Sequence, residues 1–176
     1  GLGDVYKRQD FVWVNNWPDS SAQYKGLEVW TKDPKANALF AKLPAKNSQV
    51  VNTTQWTISQ PSSTDVGNFI VAQYNSCKLN EGTNLRTFYD VYVDFAKMAQ
   101  EKGDVQGRKL IIPGAGYDGD ADFIRLVYAS KVSERGEGIE FWRSELYDTD
   151  ERRALYGLAE CSNGSIYVGP VLRSPN

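Results

Sequence analysis

Two stretches of the chain repeat one another at a spacing of 112 residues, which restricts the fold more than any other feature. Asp10-Phe11-Val12 recurs as Asp122-Phe123-Ile124, and Gly26-Leu27-Glu28-Val29-Trp30 recurs as Gly138-Ile139-Glu140-Phe141-Trp142. After a four-residue shift, Ala38-Leu39-Phe40 meets Ala154-Leu155-Tyr156. Each copy then runs on to an apolar segment, 50–58 in the first and 166–172 in the second. Collinear self-similarity of this length marks a duplicated supersecondary unit. Between the copies, residues 60–67 carry the Pro, Ser and Gly content of a linker, so the second copy starts near Asn68.

The second copy, 68–174, reads as strand, helix, strand, strand, helix, strand. Phe69 to Asn75 is a β-rich run, and Thr83 is placed to cap a helix with Leu85, Phe88, Tyr89, Tyr92, Phe95 and Ala99 at helical spacing. Strands follow at Lys109 to Ile112 and Phe123 to Ala129. A helical stretch then runs from about Glu137 to Ala159 with a break near Asp148, and Ile166 to Leu172 closes the unit. The order βαββαβ is the ferredoxin-like unit, an antiparallel sheet with two helices on one face and spatial strand order 4-1-3-2.

The first copy, 10–59, holds only the third strand, second helical region and fourth strand of that unit, because residues 68–121 have no counterpart in it. Its own sheet is therefore expected to be incomplete. Gly1 to Gln9 read, when back-translated, as a sequencing adapter carried in frame; on that reading they are an assembly artefact, and Asp10 is an internal residue of a longer product.

Two tandem ferredoxin-like units resemble the dimeric α+β barrel superfamily, with both sheets fused into one polypeptide as a pseudo-dimer. Asp-Phe opening the third strand, the Gly-x-Glu-x-Trp helix and a Cys before the last strand are similar to secreted bacterial proteins of that shape. The resemblance spans 10–174 and implies an α+β fold. Antibiotic-biosynthesis-type monooxygenases and haem-degrading enzymes of this superfamily use Asn, Trp and His in a cavity between sheet and helices. This chain has no His, and Asn15, Asn16, Trp13 and Trp17 do not fall on those motif positions, so the resemblance implies no activity.

The absence of His excludes Ser-His-Asp triads, His-ligated haem and His-containing zinc sites within these residues. A formal net charge of −2 without a compact basic patch argues against nucleic acid as a partner. No apolar run approaches the roughly 20 residues that span a bilayer. No cofactor and no metal are expected. Gly114-Ala115-Gly116-Tyr117-Asp118-Gly119 fits G-x-G-x-x-G after a strand, but another strand follows where a dinucleotide site needs a helix, so the stretch reads as a hairpin loop. Asp118, Asp120 and Asp122 alternate like a calcium loop, yet Phe123 and Ala129 stand where its Gly and Glu belong.

Cys77 follows the first strand of the second copy and Cys161 precedes the fourth; those strands are antiparallel neighbours in the 4-1-3-2 order, which makes a disulfide geometrically feasible. A bridge suggests an oxidising compartment, periplasmic or secreted, and two reduced thiols are the alternative. Asn52-Thr53-Thr54 and Asn163-Gly164-Ser165 are glycosylation sequons, relevant only in a eukaryotic secretory host. Trp30 and Trp142, repeated with Glu28 and Glu140, read as packing residues.

In the third strand, Ile124 and Leu126, with Val12 and Val14 of the first copy, are expected to pack on the helices. Phe123, Arg125 and Val127 then face the barrel interior opposite Trp13 and Asn15, with Gln73 and Asn75 on the adjacent strand. Arg125 among aromatics makes a candidate pocket for a small anion or planar ligand. The alternative pairs Arg125 with a carboxylate at the sheet edge. The functional expectation is a small-molecule-binding barrel, extending to a cofactor-independent enzyme whose catalytic residues the sequence leaves unknown. The competing reading is a non-catalytic secreted or periplasmic interaction module, which predicts a filled interior and an exposed apolar patch.

Overall fold

A computed structural model of the chain describes residues 12–42, 51–63 and 69–171. The chain divides into two units, Gly1–Ser48 and Gln49–Asn176. Residues 1–11, on which the adapter reading and the start of the first third strand fall, lie outside the described residues, as does Leu172.

The first unit is helical where it is described. Helix α1 (Ser20–Lys32) starts where the Asp19 carboxylate accepts the Ala22 N–H at 2.8 Å, and it stops at Asp33 because Pro34 disfavours helical backbone before it. Asp33 in turn caps α2 (Pro34–Phe40), accepting the N–H groups of Lys35 and Ala36. The expected third strand is not formed across Val12–Trp17, which has no regular structure and leaves Val12 and Val14 exposed. Among the described residues no neighbouring strand pairs with it, and a lone strand leaves its backbone groups without ladder partners. Trp30 packs against Trp13 and Phe40 at ring separations of 6.2 and 5.9 Å.

The second unit carries one antiparallel sheet of six strands, so the protein is α+β. Its strands are β1 (Thr53–Ser59), β2 (Phe69–Leu79), β3 (Gly107–Pro113), β4 (Phe123–Ala129), β5 (Ala159–Cys161) and β6 (Ser165–Pro170). They lie in the order β1-β3-β4-β2, and β5 and β6 share the far side of β2, pairing with 77–79 and 69–74 respectively. Among the long strands of 69–170, the fourth lies beside the first, then come the third and the second. Strand β1 extends this sheet by pairing with β3 from Thr53↔Pro113 to Ser59↔Arg108.

Helix α3 (Leu85–Glu101) is capped by Asn84, whose side-chain oxygen accepts the Thr87 N–H at 2.9 Å; the cap is thus one residue beyond Thr83. Asn and Thr both suit this place, and only the backbone geometry separates them. The helix buries Phe88, Tyr92, Phe95, Ala96 and Ala99, each large ring contributing about 1.5–3 kcal/mol on leaving water. These rings meet Leu110 and Phe123 of the sheet, with Phe88 and Phe123 only 4.5 Å apart. After β4, helix α4 (Val132–Phe141) continues into a wider π-turn, Trp142–Leu146, then breaks before α5 (Asp150–Tyr156), which Thr149 caps.

Side-chain alternation along β4 is the reverse of the expectation. Phe123 and Arg125 point to the helices, while Ile124 and Leu126 join Ala72, Ile111, Tyr74 and Tyr128 on the opposite face. Both faces of this strand are apolar enough to be buried, so hydrophobicity alone does not orient it. The docking of Phe123 under α3 decides which face turns inward.

The Gly-rich loop joins β3 to its antiparallel neighbour β4 and opens no helix. Gly116 takes φ +88°, Asp122 accepts the Leu79 N–H at 2.8 Å, and Asp120 pairs with Lys78 at 2.6 Å. Residues at the linker's start are fixed: Ser62 donates its N–H to the Val105 carbonyl and Gln60 accepts the Tyr128 hydroxyl.

Candidate functional site

A cavity of about 240 Å³ lies in the second unit between the sheet and the segment from α4 to α5. Its floor is made by β2 and β4, where Asn75 stands directly opposite Arg125 and Gln73 opposite Val127. Strand β3 adds Arg108, and α4 adds Arg135 and Ile139. The π-turn brings Trp142 to the wall; its ring lies 5.9 Å from Phe95 and 6.0 Å from Tyr156. Tyr156 is itself stacked beneath the Arg152 guanidinium at 4.7 Å.

Three guanidinium groups thus converge on one small space. Arg108, nearly fully buried, forms an ion pair with Asp104, whose carboxylate also accepts the Gln106 backbone N–H at 3.2 Å. Among the described residues Arg125 has no carboxylate partner: its Nη1 donates to the Tyr156 hydroxyl at 3.2 Å and its guanidinium lies 5.3 Å from that ring. Arg135 likewise donates to two neutral oxygens, Oε1 of Gln106 and Oε1 of Gln73. Among the described residues the Nε atoms of Arg125 and Arg135 are buried without a partner. Burial first, then repulsion from Arg108, pushes the Arg135 pKa down, with Asp104 acting against both. Burial also opposes the Arg125 cation, but Tyr92 and Tyr156 outweigh it and hold that pKa above the ordinary value. Both remain charged at any physiological pH.

The rim is held by the segment after Cys161. Asn75 Nδ2 donates to the Ser162 carbonyl at 2.7 Å, and Gln73 Nε2 donates to the Asn163 carbonyl at 3.4 Å. Cys161 pairs across the strands with Cys77 and the two form a disulfide. Glycines make room for these contacts. A Cβ on Gly138 would lie 2.4 Å from the Gln106 amide, the group that holds Arg135. Its repeat counterpart Gly26 admits the Trp17 ring in the same way. The repeated Glu28 and Glu140 form exposed pairs with Lys32 and Arg143.

Of the residues singled out in the sequence, Arg125, Gln73 and Asn75 line this cavity, on the helix side of the sheet instead of the opposite side. Trp13 and Asn15 belong to the first unit, where Trp13 Nε1 donates to Asn15 Oδ1 at 3.0 Å; the cavity lining is drawn wholly from the second. The expected carboxylate pairing of Arg125 is not found among the described residues, and its partner is the Tyr156 hydroxyl. Sequence reading missed Arg108, Arg135, Gln106 and Tyr156. A pointer to Arg135 was available: it sits one helical turn before the repeated Gly138, on a helix start placed too late.

The buried phenol of Tyr92 makes the fold sensitive to alkali. Burial raises its pKa above 10.0, and Arg125 and Arg108 only partly offset this; burial likewise raises Tyr74 and Tyr128. The folded state therefore keeps protons that the unfolded chain releases. This stability is complete below the ordinary tyrosine pKa and is lost as pH rises through the raised values. Lys109, pushed down by burial, works in the opposite direction. Urea midpoints should fall between about pH 9 and 11, and Tyr92→Phe should flatten that fall. An unchanged slope in Tyr92→Phe would remove Tyr92 as its source.

No family model matches the chain, and no curated protein matches it.

Proposed function

We propose that this protein binds a small organic anion in the cavity between its sheet and the α4–α5 segment. The observation that carries the reading is the presence of two partly buried guanidiniums, Arg125 and Arg135, whose partners among the described residues are all neutral. Buried charges are ordinarily paired, because removing an ion from water costs several kcal/mol. Asp104, the carboxylate beside them among the described residues, is committed to Arg108. An incoming carboxylate or comparable acid would supply the missing charge through bidentate hydrogen bonds. Binding, not turnover, is the reading, since among the described residues no unpaired carboxylate lines the cavity to act as a base. A cavity on which several polar side chains converge also favours it over an interaction module with a filled interior.

The architecture belongs to the same proposal. The fourth-first-third-second order of 69–170 supports a ferredoxin-like repeat, and β1 on the outer edge of β3 supports a second, partial repeat joined to it in one sheet. The Cys77–Cys161 bridge supports a secreted or periplasmic setting.

Titration calorimetry with benzoate tests the site. Arg125→Met and Arg135→Met should each weaken binding by about 10- to 100-fold, the range for losing a charge-assisted hydrogen bond. Equal affinity in both variants, or no benzoate binding to the native protein, would remove the proposal.

A further inference from the structure

We infer that the bound acid is aromatic and carries a hydrogen-bond donor, a hydroxyl or amino group, which the side-chain oxygen of Asn75 receives. The inference rests on the anion site proposed above and adds a second recognition element to it.

Asn75 is 3% exposed, and its two amide atoms are treated differently. Nδ2 donates to the Ser162 carbonyl at 2.7 Å, whereas Oδ1 is buried without a partner among the described residues. The amide cannot gain by flipping, because that would set Oδ1 against the Ser162 carbonyl oxygen. The turn closing over it is equally constrained. Gly164 has φ +76°, and a Cβ there would lie 2.5 Å from Asn75 Nδ2. Oδ1 is thus a fixed acceptor in a cavity whose other polar groups are mainly donors. A buried acceptor without a partner costs about 1–3 kcal/mol, which a ligand donor would relieve.

Position and size define the rest of the ligand. Asn75 and Arg125 are directly opposed across β2 and β4 and project from one face of the floor. One molecule can therefore offer its acid to Arg125 and its donor to Asn75. The walls between them are Phe95, Trp142, Tyr156 and the aliphatic Val127 and Ile139, which suit the face and edge of a ring. At about 240 Å³ the cavity is below the roughly 300–1,000 Å³ of sites for drug-sized ligands, so a single substituted ring is the appropriate scale.

The test is a calorimetric series on the native protein at fixed ionic strength: benzoate, 3- and 4-hydroxybenzoate, and the two methoxybenzoates. At least one hydroxybenzoate should bind about tenfold tighter than benzoate, and its methoxy ether, which accepts but cannot donate, should lose that gain. In Asn75→Ala the ratio of hydroxybenzoate to benzoate affinity should fall to within about twofold, whatever the change in benzoate affinity itself. Hydroxybenzoates no tighter than benzoate, methoxy ethers as tight as the phenols, or an advantage that survives in Asn75→Ala would overturn the inference. If benzoate binds through Arg125 but the hydroxyl adds nothing, this inference alone falls. If none of the five acids binds, the anion site falls with it. The ligand series decides the matter even if Asn75→Ala does not fold.

Discussion

Asp104→Asn should destabilise the protein by about 3–5 kcal/mol, a large share of the 5–15 kcal/mol typical of a domain. The asparagine nearly matches the carboxylate in shape, so the loss would not come from packing. It would come from leaving the Arg108 guanidinium charged, buried and next to Arg135, with no counter-charge within the described cavity. The Asp104 side chain is fully buried, so solvent screening is slight. Urea unfolding followed by tryptophan fluorescence measures this directly. A loss below about 1 kcal/mol would mean that Arg108 turns out to water when its partner is neutralised. The double replacement Asp104→Leu with Arg108→Met should recover much of the stability, because removing both charges leaves neither uncompensated.

Reducing the Cys77–Cys161 disulfide should cost about 2–5 kcal/mol. The bridge joins residues 84 apart in sequence, and closing a loop of that size in the unfolded chain corresponds to roughly 4.6 kcal/mol on the chain-entropy account. The effect should reach the cavity as well. Cys161 is followed immediately by Ser162 and Asn163, whose carbonyls hold Asn75 and Gln73. Cys161→Ser, or reduction by a phosphine, should therefore lower the urea midpoint and weaken acid binding together. A lowered midpoint with unaltered binding would show that the hydrogen bonds between Ser76 and Ser162, one backbone to backbone and one to the Ser162 hydroxyl, hold the rim alone.

The sequence was most legible where periodicity is strong. Strand β4 fell on its expected residues, 123–129, and the buried face of α3 was read from Phe88, Tyr92, Phe95 and Ala99. Other elements were illegible for physical reasons. Three-residue β5 is too short to carry a pattern, and its pairing depends on β2 running on to Leu79. Val12–Trp17 reads like a strand but joins no ladder among the described residues, and pairing, not alternation, makes a strand. At the site, Arg125, Gln73 and Asn75 could be grouped because they share one face of adjacent strands. The facing wall could not, since Arg135 and Tyr156 come from helices separated by a π-turn whose extra residue no helical periodicity anticipates.

The topology also governs how the molecule must assemble. Among the described residues only β3 and β4 form a local hairpin; β2 draws its partners from β4 on one side and from β5 and β6 on the other, and β1 must find β3 across the whole of β2 and α3. Such pairing closes long loops before any contact rewards them, so folding is expected to be slow for a chain of this size. While β6 is undocked, β2 presents an apolar strand with bare backbone groups to any other chain nearby. Productive folding is then a race between the arrival of the chain's own last strand and the capture of β2 by a neighbour, and dilution favours the first.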